Sequence, residues 1–172
     1  MEITPSIERA IAFATGAHAG QVRKYTGEPY ITHPIAVAKI VATVEHTEAM
    51  LIAAILHDTV EDTPVTIELV EEQFGAEVAE LVGWLTDVSQ PEDGNRETRK
   101  AMDREHSAAA PAAAQTVKVA DLIHNTASIS QHDANFWKVY RREKELLLNL
   151  LTQADERLRS KAWRQVLFSG RA

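Results

Sequence analysis

The 172-residue chain contains no cysteine, which removes disulfides, thiolate metal sites and cysteine nucleophiles together. Any metal must therefore be held by histidine and carboxylate, a donor set that favours a harder divalent ion. Long hydrophobic runs are also absent: no stretch approaches the ~18 apolar residues that cross a membrane. The N-terminal MEITPSIERA lacks the basic start and apolar centre of a signal peptide, so a cytoplasmic protein is expected. Positive charge is in short supply, with 18 Lys and Arg against 25 Asp and Glu and a formal net charge of -7. That balance argues against DNA or RNA as partners, while leaving room for a local basic pocket that takes a small anion.

What is present is helical period almost throughout. Few β-branched residues alternate, and short breaks fall at Gly, Pro or Asp, so the fold expected is all-α. At 45% hydrophobic, the chain is long enough for one well-buried core, and a single domain over 1–172 is the default. Thr4 as N-cap with Pro5 behind it predicts a helix to about Ala19. Pro34 is expected to start a second, from Ile35 to about Thr43, and Thr47 to cap a third. Thr66 opens a helix stopped by Gly75, and AEVAELVGWLTDV continues from there. SQPEDGN reads as a solvated loop, followed by helices over roughly 96–108 and 115–130. Two amphipathic helices fill the chain from Asn135 onward, broken near Thr152 to Asp155. Trp84, Trp137, Trp163 and the ELLLNLLTQ stripe read as core packing.

The chemistry concentrates in LIAAILHDTVEDT, residues 51–63. An apolar run ends in His57, Asp58, Glu61 and Asp62, and on one continuous helix the pairs His57/Glu61 and Asp58/Asp62 would each stack one turn apart. Acids there would sit toward the C-terminal end of the helix, which the macrodipole disfavours, so a counter-charge such as a divalent metal is expected. His33 in YITHPIA and Asp121 in VKVADLIHN each follow or begin an apolar helix and could add ligands.

In order, these segments resemble the HD superfamily of metal-dependent phosphohydrolases. RKYTGEPYITHPIAVA, AAILHDTVEDT, EEQFGAEVAELV and VKVADLIHN are similar to the hydrolase domain of the RelA/SpoT alarmone enzymes, and in particular to its stand-alone small hydrolases. The resemblance covers most of residues 5–150. It implies an HD-domain helical bundle of roughly eight to ten helices, a manganese ion held by His33, His57, Asp58 and Asp121, and Glu61 and Asp62 as the groups that position and deprotonate water. Either acid could take the proton. The activity implied is release of pyrophosphate from the 3' position of (p)ppGpp, leaving GDP or GTP.

Substrate phosphates need local cations. Arg23 and Lys24 occupy the family's basic pair ahead of His33, and Asn125, four residues after Asp121, could orient substrate or water. Arg96, Lys100 and Arg104 recur at four-residue spacing. Arg96, Lys100 and Arg141 are candidate phosphate contacts, with salt bridges to Glu97, Asp103 or Glu145 as the alternative. His18, His46, His106 and His132 follow no ligand pattern, and His124 reads as a surface or supporting residue. The chain departs from the family pattern where basic residues are usual, at Leu122, Thr126, Ala127 and Asp87. Adenosine alarmones of the ppApp type, NADPH as a 2'-phosphate substrate, and a non-catalytic alarmone-binding module therefore stay open as alternatives. Homo-oligomerisation also stays open.

Overall fold

A computed structural model describes residues 1–169. Among them are ten α-helices, one short 3-10 turn and no strand, in agreement with the all-α expectation. No helix of the described residues is long and apolar enough to cross a membrane. The chain divides into two compact units, Met1–Thr86 and Asp87–Ala172.

The first unit is built around the most apolar helix. α1 (Pro5–Ala17) starts where Thr4 accepts from the Ile7 amide at 3.3 Å, and α2 spans Thr32–Val41. α3 (Glu48–Leu56) starts where Thr47 accepts from the Met50 amide at 3.2 Å. Each cap satisfies an amide that has no partner within the helix. Every residue of α3 from Met50 to Leu56 is buried, because α1, α2 and α6 all pack on it. α4 (Thr59–Asp62) is a single turn. α5 (Ile67–Phe74) ends at Gly75, whose φ of 88° only glycine adopts readily, and α6 (Ala76–Leu85) follows at once.

In the second unit, the loop expected from SQPEDGN carries the 3-10 turn Pro91–Asp93. α7 (Arg96–Ala109), α8 (Ala112–His132), α9 (Ala134–Leu150) and α10 (Glu156–Phe168) follow. α8 packs on α9 and α10, and α7 on α9. Of the three tryptophans only Trp137 is buried; Trp84 and Trp163 are half-exposed, so two of the three do not belong to the core as expected.

Two departures from the expected boundaries bear on the site. α2 begins at Thr32, two residues before Pro34, because the chain already turns there: the Thr32 and His33 amides donate to the carbonyls of Pro29 and Tyr30 at 3.1 and 2.9 Å. Pro34 is harmless in a first turn, where its missing N–H has no helical partner to lose. The helix of the apolar run does not continue through Asp62. It stops at Leu56, with His57 and Asp58 between α3 and α4.

Candidate metal centre

The break after Leu56 is made by side chains that capture the last carbonyls of α3. His57 Nδ1 lies 2.8 Å from the Ala54 carbonyl, and the Thr59 hydroxyl donates to the Leu56 carbonyl at 2.7 Å. A carbonyl only accepts, so Nδ1 carries the proton and the lone pair of the ring is at Nε2. That nitrogen faces Asp58 Oδ2 at 3.1 Å. Asp58 is the N-cap position of α4, which places Glu61 and Asp62 in the first turn of a new helix. The unfavourable macrodipole position expected from the sequence is thereby corrected: the acids start one helix and do not end another.

His33 enters from the first turn of α2, 1% exposed, with Nε2 3.5 Å from the same Asp58 oxygen. The two imidazoles meet edge to face, centroids 5.2 Å apart. One donor atom from each of His33, His57 and Asp58 lies within 4.8 Å of the others. This donor set fits a divalent ion. A lone-pair nitrogen and a carboxylate oxygen at 3.1 Å repel unless a proton or cation lies between them, and ligands at right angles around an ion with ~2.1 Å bonds are about 3 Å apart. Three of the four ligands expected from the sequence therefore come together within the first unit.

Tyr30 was not legible as part of this site, yet its hydroxyl donates to Asp58 Oδ2 at 2.7 Å and lies 3.4 Å from Asp62 Oδ2. Burial, and then the Asp58 charge, push its pKa far above the ordinary tyrosine value, so it remains a phenol and a donor. Tyr30 is delivered by a short hairpin-like loop. Val22 and Pro29 form an isolated antiparallel bridge, and the Arg23 amide donates to the Glu28 carbonyl at 2.8 Å. The same loop carries Arg23, whose guanidinium carbon is 5.6 Å from the Tyr30 ring centre, and Lys24, whose ammonium is 4.9 Å from that of Tyr25.

Glu61 and Asp62 are exposed. Partial withdrawal from water and then the Asp58 charge raise the Asp62 pKa, while His18 and the Tyr30 hydroxyl pull it back. His18, expected to be ordinary, is buried, 3% exposed, and its ring lies 4.6 Å from that of Tyr30.

In the second unit, Asp121 sits on α8 and accepts from the Asn125 amide at 2.7 Å. The four-residue spacing expected to place Asn125 on the same face does so, with the amide on the carboxylate. Against the same stretch of α8 lies another residue the sequence did not single out. Lys144 of α9, 1% exposed, donates to Thr126 Oγ1 at 2.6 Å, Gln165 Oε1 at 2.9 Å and the Leu122 carbonyl at 3.4 Å. Burial lowers its pKa to about 7, against the opposing pull of Asp121. Neither residue carried a signal beyond a lysine in an amphipathic stripe and a tyrosine three positions before His33.

The three candidate phosphate contacts of this unit all sit on carboxylates. Arg96 makes a two-pronged pair with Glu143 at 2.7 and 2.9 Å, not with Glu97. Lys100 contacts Asp87 at 2.5 Å and Asp103 at 3.3 Å. Arg141 contacts Glu145 at 3.2 Å. Although burial works against it, Lys118 and Lys100 hold the Asp87 carboxyl below its usual value.

A family model described as HD domain matches residues 10–147; the chain belongs to the HD-domain family. It is 41% identical over 120 residues to a probable GTP pyrophosphokinase of Mycobacterium leprae, covering 69% of this chain and 15% of that one. It is 51% identical over 76 residues to the bifunctional (p)ppGpp synthase/hydrolase SpoT of Escherichia coli K12, covering 44% of this chain and 11% of that one. The chain thus spans only a small part of these curated relatives. A solved structure of a metazoan ortholog of SpoT, described as hydrolysing ppGpp and playing a role in starvation responses, matches at a TM-score of 0.84 and 27% identity over 96% of each chain.

Proposed function

We propose that the chain is a metal-dependent 3'-pyrophosphohydrolase of (p)ppGpp that releases pyrophosphate and leaves GDP or GTP. The observation that carries this reading is the convergence of His33, His57 and Asp58, followed within one turn by Glu61 and Asp62, in a chain similar to proteins named for that reaction. The family match runs across both units, which supports reading 1–172 as one HD-type domain. By its motif Asp121 is our fourth ligand. A divalent ion held by this set, manganese in our reading, supplies a Lewis acid for a phosphoryl oxygen and lowers the pKa of water.

The chain's own groups supply the rest. His57 is held in its ligating tautomer by the Ala54 carbonyl, and Tyr30 fixes the Asp58 oxygen that both imidazoles face. Hydrogen bonds of this kind orient ligand atoms before the ion arrives. Asp62, with its raised pKa, and Glu61 beside it stand ready to take a proton from the attacking water. The water oxygen bonds the phosphorus attached to the 3' oxygen as the bond between them breaks, and the 3' oxygen leaves as a hydroxyl with the proton that the acid pair took from water. Arg23 and Lys24 are the cations we assign to the substrate phosphates, since they share the loop that delivers Tyr30. Arg96, Lys100 and Arg141 already hold carboxylates, which leaves them weaker candidates for phosphate than Arg23 and Lys24. A cytoplasmic setting and a small-molecule nucleotide, with no nucleic-acid partner, complete the reading.

The test is product release by chelated protein resupplied with manganese, offered ppGpp, ppApp and NADPH in parallel. Pyrophosphate from ppGpp, lost on chelation and in Asp58→Ala, is the expected result. No turnover of ppGpp by protein carrying stoichiometric metal would overturn the proposal, and turnover of ppApp or NADPH in its place would reassign the substrate.

A further inference from the structure

His18 is buried beside the Tyr30 ring and is not one of the proposed ligands, and its hydrogen bonding is one-sided. Its Nδ1 lies 2.9 Å from Gln21 Oε1, while its Nε2 is buried and makes no hydrogen bond. Gln21 in turn donates from Nε2 to the Asp62 main-chain carbonyl at 3.0 Å. The orientation of this chain follows from the end that can only accept. A carbonyl takes a proton donor, so the amide nitrogen of Gln21 faces Asp62 and its oxygen faces His18. His18 Nδ1 must then be the donor.

The backbone closes the same circuit. The Gln21 amide donates to the His18 carbonyl and the Tyr30 amide to the Gln21 carbonyl, both at 3.0 Å. The start of the loop is thus tied to the tyrosine that bonds Asp58. α4, by contrast, is a single four-residue turn, too short to hold its own geometry by helix cooperativity. Its far end therefore takes its position from what grips it from outside, and the Gln21 amide is such a grip.

We propose that His18 and Gln21 form a positioning pair for the catalytic acid: His18 Nδ1 sets the Gln21 amide, and that amide holds the Asp62 end of α4 where its carboxyl meets water. This rests on the assignment of Asp62 to proton transfer and adds two residues outside the metal-ligand motifs to it. Because Nε2 makes no hydrogen bond, whatever His18 does by hydrogen bonding passes through Nδ1. The side-chain nitrogen of asparagine sits as far along the chain as Nδ1, and that of glutamine as far as Nε2. His18→Asn should therefore keep the pair working and His18→Gln should not.

The experiment compares wild type, His18→Asn, His18→Gln and Gln21→Met for kcat and KM on ppGpp, bound manganese, and amide hydrogen exchange over residues 59–63. His18→Gln and Gln21→Met should each lower kcat on the order of 10–100-fold, the scale of a displaced catalytic group. KM and manganese content should stay within about twofold, and α4 amides should exchange faster. His18→Asn should stay within about threefold of wild-type kcat. Gln21 is half-exposed in a loop, so Gln21→Met tests the idea even if a His18 variant does not fold. Wild-type kcat in Gln21→Met, equal losses in the two His18 variants, or manganese lost in step with kcat would each overturn the proposal. If wild type turns over no ppGpp while the exchange pattern holds, the substrate reading fails and the positioning stands. If turnover stands while exchange is unchanged, the positioning fails.

Discussion

Replacing Lys144 with methionine removes a buried ammonium while keeping a side chain of similar length. The lysine is 1% exposed, and burial lowers its pKa from the usual 10.5 to about 7. Between those two values the unfolded chain holds a proton that the folded chain has released. Stability must then rise with pH across that window and be lowest below it. At 1.36 kcal/mol per pH unit the interval corresponds to a ceiling of roughly 5 kcal/mol. Thr126, Gln165 and the Leu122 carbonyl, which all accept from the ammonium, favour the charged form and reduce this to about 1–3 kcal/mol. Methionine leaves Gln165 Oε1 and Thr126 Oγ1 without that donor, at a cost of about 1 kcal/mol each. The Thr126 hydroxyl keeps its own bond to the Leu122 carbonyl at 2.6 Å. Lys144→Met should therefore be about as stable as wild type near pH 6 and fall behind by about 1–3 kcal/mol near pH 10. Urea unfolding at a series of pH values, followed by the fluorescence of buried Trp137, reads the difference in slope. A wild-type stability that is flat or falling between pH 7 and 10, or a variant with the same slope as wild type, would refute the reasoning.

Other substitutions separate the parts of the site. Tyr30→Phe removes only the hydroxyl that bonds Asp58 and should weaken manganese binding by about 10–100-fold, as loss of a ligand-orienting hydrogen bond does; calorimetric titration of the metal reads it, and unchanged affinity would place the tyrosine outside the metal's support. Asp62→Asn should keep the metal and lower kcat by at least about 100-fold, whereas near-normal turnover would give the proton to Glu61. Arg23→Ala should raise KM for ppGpp by about tenfold, the effect of one charge-assisted contact. Arg96→Ala, which frees Glu143, should leave KM within about twofold, since its charge is already engaged; an equal rise in both variants would return Arg96 to the phosphates.

Helix existence was legible because it rests on local signals. Thr4, Thr47 and Thr66 are caps in the sequence and in the structure, and Gly75 stops α5 as its φ requires. The break between α3 and α4 was not legible. Helical spacing says where side chains fall if the helix continues, and here His57 and Thr59 end it by bonding carbonyls that a longer helix would have used. Within the first unit the cluster of His33, His57 and Asp58 could be anticipated because its residue types are rare beside an apolar run. Tyr30, Gln21 and His18 could not, because their roles depend on a loop folding back by backbone hydrogen bonds that no periodicity encodes. Charge spacing on α7 identified the basic stripe but not its partners: Glu143, which takes Arg96, lies on a different helix.

His57 joins two tasks in one ring, closing α3 through Nδ1 and presenting Nε2 to Asp58. The register of the buried helix and the aim of the imidazole are therefore a single degree of freedom. Deleting one residue anywhere in Glu48–Leu56 would turn everything beyond it by about 100° around the helix axis, carrying the imidazole off the cluster while leaving the composition of the helix almost unchanged. The connection before Thr47 has no such coupling, since a cap can re-form wherever a helix begins. Length variation in natural or engineered versions of this chain should thus be confined to that side of α3, and an alignment gap falling inside the helix would mark a chain in which His57 no longer meets Asp58.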